Sequence, residues 1–153
     1  MFREEFGVKA SLAFNKPADC IDYVKENDAI ITNVANATGV SKSMISAILI
    51  RERMCFDPKD VASDHLPNAS RGVAQIKPST ARMCEKYVLE QIFKMSCKNY
   101  TDDELKKRLD NPETAIYYIG VILLYNASML GLNPKENSSN ILSKHCVCST
   151  FAM

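Results

Sequence analysis

Met44-Ile45-Ser46-Ala47-Ile48-Leu49-Ile50-Arg51-Glu52 is the stretch around which the chain is organised. Read as a helix, it sets Ile45, Ile48 and Leu49 on one stripe at helical spacing. Glu52 continues that stripe, one turn beyond Ile48 and Leu49. A carboxylate thus stands on the face expected to be buried, near the helix C-terminus. Burial and the negative end of the helix dipole both disfavour its ionised form, so its pKa is expected to be raised. An acid that keeps its proton near neutral pH suits acid catalysis. The ordinary alternative is a surface Glu paired with Arg51 or Arg53.

Outward from that helix the punctuation is helical. Pro17 suits the first turn of a helix running to about Asn27, with Cys20, Ile21 and Val24 facing inward. Asp28 can cap a second helix through Ile30, Ile31, Val34 and Ala35, closed by Gly39. Ser41 then caps the Glu52 helix, which should end near Cys55, before Asp57-Pro58. Residues 56–71 read as a long loop, of a kind that is usually functional. Pro78 opens a helix with Ala81, Cys84, Tyr87, Val88 and Met95 at helical spacing. Thr101-Asp102-Asp103-Glu104 is a capping box, starting a short helix to about Leu109. Asn111-Pro112-Glu113 starts an apolar helix through Ile116, Ile119, Ile122 and Leu123, ended by Gly131 and Pro134. This is the expected buried centre. The pattern also allows a last helix at 139–145 and a short hairpin at Val73 to Ile76. The class is all-α or nearly so, and 153 residues make one domain, 1–153, with a real core.

Composition excludes some functions. A net charge of +1 argues against general attraction to nucleic acid or anionic membrane. No apolar run reaches the roughly eighteen residues of a membrane helix, so no membrane insertion is expected. The N-terminus Met1-Phe2-Arg3-Glu4-Glu5-Phe6 lacks the apolar core of a signal peptide. Of the six cysteines (Cys20, Cys55, Cys84, Cys97, Cys146, Cys148), none forms a Cys-x-x-Cys pair. Cys146-x-Cys148 with His145 is a poor zinc set. Buried reduced thiols are expected, with one or two disulfides as the alternative, and no metal or cofactor is implied.

Three segments, in order, resemble the catalytic domain of lytic transglycosylases and goose-type lysozymes. Ile48-Leu49-Ile50-Arg51-Glu52 is similar to the helix that presents that family's catalytic Glu. Ser70-Arg71-Gly72-Val73-Ala74-Gln75-Ile76-Lys77-Pro78-Ser79-Thr80-Ala81 resembles its Gly-x-x-Gln-Ile-x-Pro-x-Thr-Ala segment, which lines the sugar cleft. Leu109-Asp110-Asn111-Pro112-Glu113-Thr114-Ala115-Ile116 is similar to the segment that opens its long core helix. Together they cover about 41–130. The resemblance implies a lysozyme-like fold and cleavage of the β-1,4 bond between N-acetylmuramic acid and N-acetylglucosamine in peptidoglycan. Glu52 would be the acid/base, and Ser70, Gly72, Gln75 and Ile76 would grip the sugar. On physical grounds, Gly72 lets backbone approach a ligand closely, and Gln75 offers both donor and acceptor.

The chain also departs from the pattern. Arg53 stands where the family usually has Ser. Leu124-Tyr125-Asn126-Ala127-Ser128 resembles the family's Ala-Tyr-Asn-Ala-Gly segment but sits inside the apolar helix. Tyr125, His145, Tyr117 and Tyr118 are therefore all open as partners of Glu52. A second carboxylate would decide between hydrolysis and transglycosylation. Asp64 leads Asp57 and Asp60 for that role, and inversion would need it about 6.5–9.5 Å from the acid.

The implied partners are peptidoglycan strands, with an immunity or inhibitor protein or a delivery partner. The implied place of action is the bacterial cell wall, reached by another export route, by lysis, or as part of a larger protein. A rival reading takes Val34 to Arg53, with Gly39 in the turn and Ser41-Lys42-Ser43 opening the second helix, as a helix-turn-helix DNA-binding module. With Lys42 the one cation before Arg51, it lacks the phosphate contacts such a module gathers. A catalytically inactive glycan-binding relative is a third reading.

Overall fold

The computed structural model describes residues 16–55 and 68–135. Among them the chain forms α1 (Pro17–Glu26), α2 (Asp28–Thr38), α3 (Lys42–Met54), α4 (Pro78–Tyr87), α5 (Asp102–Asp110) and α6 (Pro112–Leu130). There is no strand among the described residues. The fold is all-α, as the sequence predicts. The expected helix at 139–145 lies outside the described residues.

α6 is the centre. Eleven of its 19 residues are buried, on every side of the helix, so it must be enclosed by other elements rather than packed on one. It touches α2, α3, α4 and α5, while α1 packs on α3. Ile116, Ile119, Ile122 and Leu123 are essentially inaccessible, each worth about 1.5–3 kcal/mol of burial. Gly120 sets the crossing with α2. A Cβ there would stand 2.4 Å from Val34 Cγ1, so any side chain would push the two helices apart. By length and mean hydropathy α6 could span a membrane, contrary to the reading of the apolar runs, but 61% of that window is buried within the fold. Its apolarity serves the core.

The caps explain the boundaries. Asn111 accepts hydrogen bonds from the N–H groups of Glu113 and Thr114, starting α6. Thr101 and Glu104 form the reciprocal capping box that starts α5. Gly39 and Gly131, both left-handed, close α2 and α6. Asp28 departs from the expectation. It sits inside the first turn of α2 without a capping bond, and its carboxylate instead pairs with Lys42 Nζ at 2.6 Å. Ser41 stands at the start of α3 without a side-chain cap bond.

Three packing expectations need correction. Ile21 is 44% exposed, because α1 is a peripheral helix with Cys20 as its buried residue. Met95 is 60% exposed. α4 gives way to an i→i+5 turn over Val88–Ile92, and Lys94, with φ 55°, takes the chain off the helical path. The hairpin at 73–76 reduces to a single bridge between Arg71 and Ile76. Of the cysteines, Cys20 and Cys84 are buried as expected, while Cys55 is exposed and Cys97 half-buried. Cys146 and Cys148 lie outside the described residues.

Candidate functional site

Glu52 lies in the last turn of α3. Its stripe is buried as the sequence predicts, with Ile45 and Leu49 inaccessible and Ile48 at 3%. The Glu52 side chain itself is only 11% exposed, and its carboxylate lies 3.9 Å from the Arg51 guanidinium. Arg53 turns to α1 instead, its guanidinium carbon 3.8 Å above the Tyr23 ring. That stacking leaves two buried polar atoms, Arg53 Nε and the Tyr23 hydroxyl, without a hydrogen bond. Burial pushes the Tyr23 hydroxyl up, against the Arg53 charge and with that of Glu26.

The second segment, Ser70 to Ala81, is a compact turn. Arg71 and Ile76 exchange backbone hydrogen bonds of 2.9 and 3.1 Å. Ala74 and Ile76 drop into the core, at 0% and 2% exposure, so the Ile76 side chain anchors the turn rather than facing solvent. Gln75 takes a left-handed φ of 48°, held by two bonds to the Gly72 carbonyl, from its backbone N–H at 3.2 Å and from Nε2 at 2.9 Å. Its Oε1 is buried and accepts nothing. Ser70 is half-buried beside them. Asn68 Oδ1 accepts the Ser79 N–H at 3.0 Å, supplying a cap for α4 that the sequence pattern did not reveal.

Gly72 has a reason other than ligand approach. With φ 72°, a Cβ there would fall 1.8 Å from the Leu109 carbonyl oxygen. The turn is seated directly on the end of α5. Arg71 completes the joint with a bidentate pair to Asp110, at 3.1 and 2.8 Å. The second and third segments of the resemblance therefore interlock. α3, which carries the first, packs on α6, at whose start the third ends.

Of the tyrosines considered beside Glu52, two are committed elsewhere. Tyr117 and Tyr118 donate to Glu85, at 3.2 and 2.8 Å. Burial, then the nearby Glu85, holds the Tyr117 hydroxyl above its ordinary range, and burial does the same for Tyr118. Tyr125 meets the Tyr87 ring edge-on, with centroids 5.2 Å apart, on the α4–α6 seam. Asp64 and His145 lie outside the described residues, as do Asp57 and Asp60.

The group that sequence reading passed over is Glu85, 4% exposed. Besides the two tyrosines it accepts from Arg108 Nη2 at 3.3 Å, and Arg108 Nε donates to the Tyr118 oxygen at 3.0 Å. The signal was present, because Glu85 stands on the stripe of Ala81, Cys84 and Val88 just as Glu52 stands on its own. Among the described residues, no cluster of three His, Cys, Asp or Glu side chains could hold a metal ion. No family model, curated protein or solved structure matches the chain.

Proposed function

We propose that the chain is a lysozyme-like, peptidoglycan-cleaving enzyme acting on the β-1,4 N-acetylmuramic acid to N-acetylglucosamine bond. The observation that carries this reading is the nearly buried Glu52 carboxylate, on the helix whose sequence resembles the catalytic helix of lytic transglycosylases. The interlocked 70–81 and 109–116 segments, which carry the rest of the resemblance, support it. So does Gln75, whose side-chain oxygen is buried without a hydrogen bond, an unsatisfied group of the kind that calls for a reason other than stability.

In this reading Glu52, protonated, donates to the glycosidic oxygen as the C1–O bond breaks. C1 is then attacked by a nucleophile whose proton passes to a carboxylate. If that nucleophile is the sugar's own C6 hydroxyl, C1 is closed into a 1,6-anhydro ring and Glu52 regains its proton. If it is water activated by a second carboxylate, the product is the reducing sugar. One acid/base group is enough for the first course. The helix-turn-helix reading is less well supported, because Lys42 is held by Asp28 at 2.6 Å.

The test is clearance of a peptidoglycan suspension by purified protein. Glu52→Gln should slow clearance by about 10²–10⁴-fold, the usual contribution of a positioned acid/base, with the fold intact by circular dichroism. A variant that clears as fast as its parent removes Glu52 from the chemistry. A parent that binds the polymer without clearing it is the inactive relative. Mass spectrometry separates the two courses, since the anhydro product is one water lighter.

A further inference from the structure

A cleft of about 230 Å³ opens between the second half of α4, the segment 97–100 and α5. It is smaller than the ~300–1,000 Å³ of sites for drug-sized ligands. Glu85 is part of its wall, and the charged side chains around it fall into two groups. Arg82 and Glu85 are committed. Arg82 donates to the Tyr100 carbonyl at 2.6 Å and pairs with Asp102, and Glu85 is filled by Arg108 and two tyrosines. Lys86 and Glu90 make no ion pair among the described residues. Lys98 is 65% exposed, with Glu104 at 3.7 Å, a contact weak enough to exchange.

Lys86 and Glu90 flank a break in helix geometry. They stand four residues apart, Lys86 in the last turn of α4 and Glu90 within the Val88–Ile92 turn. The Phe93 N–H bonds the Val88 carbonyl at 3.0 Å, an i→i+5 turn that underwinds the helix around Glu90. Such turns recur at functional sites. Here Lys86 and Glu90, of opposite charge, both line the one cleft beside the turn. The Cys97 thiol in the same wall registers these charges. Burial, then Glu85 and Glu90, pushes it up, while Lys86 and Arg108 act the other way.

We propose that this cleft binds a small zwitterion whose carboxylates outnumber its ammonium, an acidic amino acid or short acidic peptide. Its ammonium meets Glu90 and its carboxylates meet Lys86 and Lys98. Its aliphatic part lies against Tyr100 and Leu105. Lys98 Nζ already stands 4.8 Å from the Tyr100 ring centroid, on the rim where a carboxylate would enter. Glu52 takes no part, so failure of the glycan-cleaving reading leaves this site standing.

The test is a titration of the ¹⁵N-labelled full chain, following the amide resonances of Lys86, Glu90 and residues 97–100. The probes are glutamate of either hand, the dipeptide alanyl-glutamate, and glutarate, which lacks the ammonium. Saturable shifts with glutamate or the dipeptide are expected. Glutarate should bind about tenfold more weakly, and so should glutamate to Lys86→Met or Glu90→Gln. Both substitutions replace surface side chains, and resonances outside the cleft report that the fold is kept. Binding of free glutamate identifies a free amino acid as the ligand class, and binding of the dipeptide alone identifies a peptide-borne residue. No saturable shift with either, or glutarate binding as well as glutamate, overturns the proposal. So does an unchanged affinity in the Lys86→Met/Glu90→Gln double variant.

Discussion

Glu52 and Glu85 carry the same sequence signature, a carboxylate set on the apolar stripe of a helix, but the polar groups beside them in the chain differ. Around Glu85 the polar groups are filled. Tyr117, Tyr118 and Arg108 all donate to it, and Arg108 is stacked 4.3 Å from the Tyr100 ring centroid. At the end of α3, Arg53 Nε and the Tyr23 hydroxyl are buried without hydrogen bonds, and in the 70–76 turn so is Gln75 Oε1. A saturated network stabilises and specifies packing. Unfilled buried polar atoms cost free energy in the folded chain, and they persist where something other than stability keeps them. Acid-on-stripe is therefore a signal for a buried carboxylate and not yet for a catalytic one. What surrounds the acid separates the two.

The sharpest way to break this contrast is to neutralise each acid in turn. Glu85→Gln leaves Arg108 without its counter-charge and puts an amide donor against hydroxyl donors. The cost expected is about 3 kcal/mol, the low end for a broken buried pair because Arg108 is a quarter exposed. In a chain of this length that lowers the Tm by on the order of 10 °C. Glu52→Gln should change the Tm by no more than about 1 kcal/mol equivalent, since a charge at a helix C-terminus is itself unfavourable. Equal losses in thermal melts would make Glu52 a second structural acid.

Gly72→Ala comes next. The new Cβ would overlap the Leu109 carbonyl and hold a side chain at positive φ, so the turn must lift from the end of α5. About 2 kcal/mol of destabilisation follows from overpacking and left-handed backbone. Because Arg71 still tethers the turn to Asp110, folding should survive, and peptidoglycan clearance should fall more than stability does. A Gly72→Ala protein with unchanged melting would mean that the turn is not seated as described.

The helices were legible because their ends carry local chemistry. Thr101 with Glu104, Asn111 before Pro112, and the terminal glycines each act within one turn, so the sequence displays them directly. Glu85 was not legible as a hub, because its partners come from 23 to 33 residues away and only packing brings them together. Gly72 was legible as special, but its seat on α5 was not. The sequence shows a glycine in a turn, not the α5 carbonyl that a side chain there would strike. The i→i+5 turn hid for a related reason. Nothing in Val88 to Ile92 forbids regular helix, and the extra residue per turn shows only in the Phe93 bond. Tyr125 remains the residue whose motif and place disagree, on the Tyr87 seam in mid-helix.

Beside it, Asn126 gives the smallest and most discriminating test. Its amide is 1% exposed, and neither its nitrogen nor its oxygen has a hydrogen-bond partner. In a helix otherwise lined with Ile, Leu and Val, an unfilled amide is worse than an apolar side chain of similar size. Asn126→Leu is therefore expected to raise stability by about 1 kcal/mol, read as a higher Tm. If clearance of peptidoglycan falls at the same time, Asn126 belongs with Gln75 among groups kept for function at the expense of stability. If clearance is unchanged, the amide is an isolated cost with no bearing on the site. A lower Tm would show that the amide is satisfied in solution, by an internal water for instance. Asn126 would then join Glu85 on the saturated side of the molecule.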